Sequence, residues 1–237
     1  MPEDRPAANT GSRALPAAAL AALLGGIVLM ALLQVLPATS DIDPVRRTIS
    51  EYALGPVGWV FGVAVLLIAG GSAMAFGTLV RRGLVRPLSG NTVFAALWTA
   101  GLLAIVVFPK TDWSVGPSIE GTIHRYASIV AFVCLPLAVL LAARAAYPHS
   151  PGPRRLTRWL AFTSLLWFGV IIGAVVVMLA GGPPWWRSIP LGLVERMLAL
   201  NEVLAVVALT LGQLRAPASA PDPVATRVSR CRSGRHA

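Results

Sequence analysis

Six apolar runs of about span length dominate this chain of 237 residues. A helix rising 1.5 Å per residue needs roughly 20 such residues to cross about 30 Å of hydrocarbon. The runs fall at about 14–36, 56–80, 91–108, 124–143, 159–180 and 189–213. Backbone polar groups in lipid must bond within their own segment, so isolated runs of this length are helices. The sequence therefore predicts an all-α polytopic membrane protein, with six transmembrane helices in one bundle over residues 14–214. Residues 1–13 form a short polar lead. Residues 215–237, rich in Pro, Ala, Ser and Arg, read as a disordered basic tail.

Composition matters here mainly for what it excludes. Only 13% of residues are charged, against about a quarter in soluble domains. A formal charge of +10 would suggest nucleic acid if it sat in one compact basic domain. Instead the arginines alternate with apolar runs, so membrane topology accounts for them and no nucleic-acid partner is expected. Fourteen of the twenty basic residues lie in the lead, the 81–86 and 144–158 connections, and the tail. That bias places both termini in the cytoplasm and residues 37–55, 109–123 and 181–190 outside. Trp113, Trp185 and Trp186 then fall at the outer interface and Trp159 at the inner one, as an aromatic belt requires.

Lys110 is the only lysine, and with the Arg, Ala, Gly and Val load this suggests a high-GC bacterial genome, so the six spans are expected in a bacterial cytoplasmic membrane. The first run begins like a signal peptide but exceeds the usual 7–15 apolar residues of a signal core, so it is expected to remain as a helix. Cys134 and Cys231 offer neither a disulfide framework nor metal-ligand spacing.

The acids follow the opposite bias. Asp41, Asp43, Glu51, Asp112 and Glu120 lie in outer connections, and Glu195 and Glu202 lie within the sixth run. Carboxylates at membrane depth are expensive and should face the bundle interior or a wet cavity. At 100° per residue, Glu195 and Glu202 return to nearly one face, roughly 10 Å apart along the axis.

Three polar stretches carry this chemistry: "TISEYALGP", "FPKTDWSVGPSIEGTIHRYAS" and "LVERMLALNEV". Their order resembles the bacterial integral-membrane family called domain of unknown function 998, over about residues 15–213. The Phe-Pro-Thr-Asp-like turn of that family is interrupted here by Lys110, between Pro109 and Thr111. The resemblance would place the family's recurrent polar positions on Ser50, Glu51, Asp112, His124, Glu195 and Arg196. It implies the architecture and the place of the site, and assigns no reaction.

Several chemistries compete for these residues. Asp112, His124 and Glu195 are the candidates for acid–base work, and Ser50 with His124 and Asp112 has the composition of a hydrolase triad. The bland alternative makes Asp112 a turn cap and His124 an interfacial polar residue. Glu120 and His124 share a helical face, yet His149 and His236 lie on the other side, so no His-rich zinc site is available. A carboxylate site for a hard cation is a weaker alternative, and no metal or cofactor is assigned. Glu202 could serve a proton relay, or pair internally with Arg196, Arg125 or Asn201. Gly58-x3-Gly62 and Gly169-x3-Gly173 suggest close helix packing within the chain. The arginine clusters could also bind anionic headgroups of membrane lipids.

The favoured expectation is a cavity open to the outer leaflet that binds, and could modify, a lipid or small amphiphile. Its proposed lining is Ser50, Glu51, Tyr52, Asp112, His124, Arg125, Glu195, Arg196, Asn201 and Glu202. The alternatives are a proton- or ion-coupled transporter using Glu195 and Glu202, and a non-catalytic subunit whose buried charges fix helix register.

Overall fold

A computed structural model describes residues 11–112 and 114–215. The start of the lead, Trp113, and the tail with Cys231 lie outside the described residues. The chain forms α1 (Gly11–Leu32), α2 (Gly58–Arg81), α3 (Gly90–Val107), α4 (Ile119–Ala146), α5 (Pro151–Leu179), a single-turn α6 (Trp185–Ser188) and α7 (Leu191–Arg215). All but α6 are long and apolar enough to cross a membrane, and no strand occurs among the described residues.

The helix ends follow local chemistry more than hydropathy. α4 starts at Ile119, ahead of its apolar run, because the Ser118 side chain accepts a hydrogen bond from the Gly121 amide at 3.0 Å. α5 starts at Pro151, a residue preorganised for the first helical position. Arg154, Arg155 and Arg158, expected in a connection, therefore ride on the first turns of α5. α2 stops where Gly83 adopts φ 66° and the Leu84 amide reaches back to the Leu79 carbonyl, a left-handed helix terminus that favours glycine.

Five helices close a ring: α1 packs on α2, α2 on α3, α3 on α4, α4 on α7, and α7 back on α1. α5 lies outside it, against α4 and α7. Only 11% of the apolar window of α5 is buried, against 56% for α2 and α7, which makes α5 peripheral. Glycines let the ring helices approach closely. A Cβ on Gly26 of α1 would sit 2.6 Å from the Ile68 side chain of α2, and one on Gly101 of α3 would sit 2.9 Å from the Ala127 carbonyl of α4.

The two pairs singled out from spacing behave differently. Beyond their own helix backbone, Gly169 and Gly173 have no heavy atom within 4 Å of their Cβ positions, so they make no close helix contact among the described residues. Gly58 approaches the Ala53 carbonyl in the preceding turn, and Gly62 only grazes Val106 at 4.0 Å.

The lower end, where α2 and α7 finish, is shut. The Gln213 amide donates to the Ala75 carbonyl at 3.0 Å, and Arg82 donates to the Gln213 carbonyl at 2.7 Å, tying α7 to α2 across the ring. The Tyr147 hydroxyl donates to the Ala208 carbonyl nearby. Toward the upper end, where α7 begins, a space opens between the helices.

Candidate functional site: a polar-capped cavity

The connection between α1 and α2 forms the cap. Thr39 donates its hydroxyl to the Leu33 and Leu36 carbonyls at 2.7 and 2.9 Å, folding the chain back at the end of α1. Residues Ile49–Leu54 then form a 3-10 helix. Side chains three apart eclipse in that geometry, so Ile49 and Tyr52 point the same way and both are buried.

The same connection seats on the first turns of α7. The Leu193 amide, one of the helix's unsatisfied first donors, bonds to the Val45 carbonyl at 3.1 Å. Gly192 is required beneath it, since a Cβ there would lie 2.3 Å from the Arg47 carbonyl and 2.6 Å from that of Pro44.

Arg196 clamps this assembly. Its Nε donates to Gln34 Oε1 at 2.7 Å, its NH1 to the Arg47 and Gly192 carbonyls at 2.7 and 2.9 Å, and its NH2 to the Tyr52 hydroxyl at 3.2 Å. The guanidinium also lies 5.7 Å from the Tyr52 ring centroid. Tyr52 in turn donates to Gln34 Oε1 at 2.9 Å. Next to Arg196, Glu195 accepts from the Ile49 amide through Oε2 at 3.1 Å. Lys110 pins the other flank, donating to Thr48 Oγ1 at 2.7 Å and pairing with Glu51 at 2.6 Å. It also lies within electrostatic range of Glu195 and His124. His124 is buried and donates Nδ1–H to the Phe108 carbonyl at 2.9 Å.

Beneath the cap is a cavity of about 270 Å³. Gln34, Ser50, His124, Ser128, Glu195 and Arg196 line its polar part. Its walls are Ile27 and Met30 of α1, Phe61, Val65 and Ile68 of α2, Trp98, Leu102 and Ile105 of α3, Phe132 of α4, and Ala199, Leu200 and Val203 of α7. A separate polar recess of about 410 Å³ lies among Asp41, Arg47, Glu51, Thr111, Asp112 and Ser114.

Every element of this site lies within the span that matches the family model described as protein of unknown function (DUF998), residues 17–212. The chain belongs to the DUF998 family. No curated protein and no solved structure matches it.

In this DUF998 chain, the residues expected at the site divide into groups. Ser50, His124, Glu195 and Arg196 line the cavity, and Tyr52 supports it through Gln34 and Arg196. Glu51 and Asp112 instead line the separate recess. Arg125 is exposed, and Asn201 is half-buried away from the cavity lining. Glu202 is fully buried, outside the cavity, with no hydrogen-bond partner for either oxygen among the described residues, and Cys134 of α4 lies within electrostatic range. The expected pairing of Glu202 with Arg196, Arg125 or Asn201 is not made.

The reason is angular. The cavity face of α7 centres on Arg196, Ala199 and Val203, and both acids sit about 100° away from it. Glu195 still reaches the cavity because the cap folds over it, whereas Glu202, two turns deeper, faces neighbouring helices.

No hydrolase relay is assembled. Asp112 is exposed and accepts from the Ser114 hydroxyl at 2.6 Å and amide at 2.9 Å. Those bonds hold its carboxyl below the usual carboxylate range. His124 is bonded to a backbone carbonyl, and the Ser50 hydroxyl has Thr48 Oγ1 as its neighbour at 3.3 Å. No cluster of three metal-ligating side chains occurs among the described residues.

Gln34, Lys110 and Trp98 were not among the residues expected at the site. The signal for Lys110 was present, as one lysine among arginines beside an acidic stretch. Gln34 at the end of an apolar run, and Trp98 inside one, carry no such mark.

Proposed function

We propose that this DUF998 chain is a multi-pass protein of the bacterial cytoplasmic membrane, with both termini in the cytoplasm, that binds a lipid or small amphiphile in the capped cavity. The observation that carries the proposal is the division of the cavity itself: polar side chains at the upper end and near-continuous apolar walls below. That is the lining of a site for one greasy chain with a polar head. At about 270 Å³, the space lies near the small end of ligand sites, roughly 300–1,000 Å³. It suits a single alkyl chain better than a two-chain phospholipid. The packed lower end, with Gln213 bridging α7 to α2, favours binding over passage. The orientation and the bacterial membrane rest on the arginine distribution and the near absence of lysine.

Native mass spectrometry of the purified chain with a graded series of single-chain amphiphiles tests this. The wild type is expected to retain one molecule. Ala199→Phe, which fills the cavity from α7, is expected to weaken retention at least tenfold. Ala31→Phe, at a lining position of α1, should act in the same way if the first variant folds poorly. Undiminished retention in folded protein carrying either substitution would exclude the cavity as the site.

A further inference from the structure

The hydrogen-bonding capacity left open at the head of the cavity has a sign. Arg196 has five N–H groups, and four are committed to Gln34, Arg47, Gly192 and Tyr52. His124 commits Nδ1–H to the Phe108 carbonyl, and Ser128 commits its hydroxyl hydrogen to the His124 carbonyl at 2.9 Å. Lys110 pairs with Glu51 and does not line the cavity. Apart from the fifth Arg196 N–H and the Ser50 hydroxyl, whose polar neighbour is Thr48 Oγ1 at 3.3 Å, the donors are spent on holding the cap.

The acceptors are not. Glu195 lines the cavity with Oε2 held by the Ile49 amide, while Oε1 makes no hydrogen bond and Glu195 makes no ion pair among the described residues. The Ser128 hydroxyl oxygen keeps its lone pairs. The Trp98 indole N–H has no acceptor among the described residues, but Trp98 sits midway along α3, well below the head, and cannot select it.

We propose, resting on the amphiphile-binding reading above, that the ligand carries a compact hydrogen-bond-donating cationic head, a primary ammonium, and that Glu195 is the residue that selects it. Glu195 Oε1 accepts one ammonium N–H and the Ser128 hydroxyl offers a second acceptor. An anionic head would meet a carboxyl oxygen, a guanidinium with one N–H to spare and, at most, the neutral Ser50 hydroxyl. A hydroxyl head would satisfy the geometry with one donor and no charge.

The test compares dodecylamine, dodecanol, dodecanoate and dodecyl phosphate, each below its aggregation threshold, against the full chain in a non-ionic detergent at pH 7. An alkylamine is protonated there, with a pKa near that of lysine, about 10.4. Affinities come from native mass spectrometry and thermal shift. Dodecylamine is expected to bind at least tenfold more tightly than dodecanol, with the two anions weakest. Non-specific attraction to a chain of formal charge +10 would produce the reverse order, so the ranking is diagnostic. Glu195→Gln should bring the amine to within threefold of the alcohol. If that variant does not fold, the wild-type ranking decides alone. A preference for either anion, or equal affinity for amine and alcohol, overturns the head-group assignment and leaves the cavity reading intact. Failure of all four chains to bind removes both.

Discussion

Replacing Arg196 with Met should release the cap while leaving the apolar bundle in place. Four hydrogen bonds from the guanidinium are lost, to Gln34, Arg47, Gly192 and Tyr52. Bonds from a charged donor typically contribute 1.5–3 kcal/mol each, but these acceptors are not fully orphaned. Gln34 Oε1 keeps the Tyr52 hydroxyl, Arg47 is exposed and its carbonyl regains water, and the Gly192 carbonyl keeps its intrahelical bond. Discounting each bond to somewhat under 1 kcal/mol leaves about 3 kcal/mol for the set. A factor of ten corresponds to about 1.4 kcal/mol, so the open population of the 44–52 connection should rise on the order of 100-fold. Trypsin cleavage after Arg46 and Arg47, identified by mass and measured under native conditions, reports that population when reclosing outpaces cutting. Lys at the same position reaches fewer acceptors because an ammonium lacks the planar fork, so an intermediate rate is expected. A Met variant cut within threefold of wild type would show that Arg196 does not hold the cap, and a Lys variant indistinguishable from wild type would show that the planar fork is not what holds it.

Gly121→Ala places a Cβ 1.7 Å from Thr111 Oγ1 and 2.6 Å from the Thr111 amide, and should destabilise the chain by about 1–3 kcal/mol. Gly169→Ala and Gly173→Ala meet open space and should be neutral or slightly stabilising through helix propensity; parallel thermal melts in detergent separate the two classes. Lys110 and Glu51, with side chains 15% and 19% exposed, should show a coupling of about 1 kcal/mol in a double-mutant cycle of Lys110→Met and Glu51→Gln, and additive melting shifts would argue against the pair. Asp112 is held below the usual carboxylate range by the Ser114 hydroxyl and amide. Its contribution to the turn is therefore complete above the unfolded value, is lost only as the pH falls through the lower folded value, and is constant between pH 5 and 8. Carboxyl NMR should show a midpoint below that of Asp112 in a free 110–116 peptide.

The six spans were legible because length and apolarity are local properties that lipid enforces on each segment separately. The cap was legible only in part. "TISEYALGP" is visibly polar beside a span, but nothing in its order announces a 3-10 helix that turns Ile49 and Tyr52 inward, or a backbone approach to α7 that only Gly192 permits. Those features depend on residues roughly 140 positions apart meeting in space, and a single chain without aligned relatives gives no pairwise signal. Gln34 illustrates the same limit. At the end of an apolar run it reads as an ordinary interfacial amide, and its importance comes from the two donors, Tyr52 and Arg196, that converge on its Oε1.

The acids of α7 show how far periodicity alone carries. A seven-residue spacing does return Glu195 and Glu202 to nearly the same angle, yet angle is one coordinate of three. The cavity occupies the neighbouring face, and the cap reaches only the first turns of the helix. At that depth the connection supplies Glu195 with an amide donor. Two turns lower there is no connection, and the cavity runs past Val203 on the neighbouring face, so Glu202 is buried without a partner among the described residues. The same side chain in the same register thus has a binding geometry at one depth and only packing at the next. What distinguishes them is the returning strap of residues 44–52, which makes the strap and α7 together, not α7 alone, the unit that defines the site.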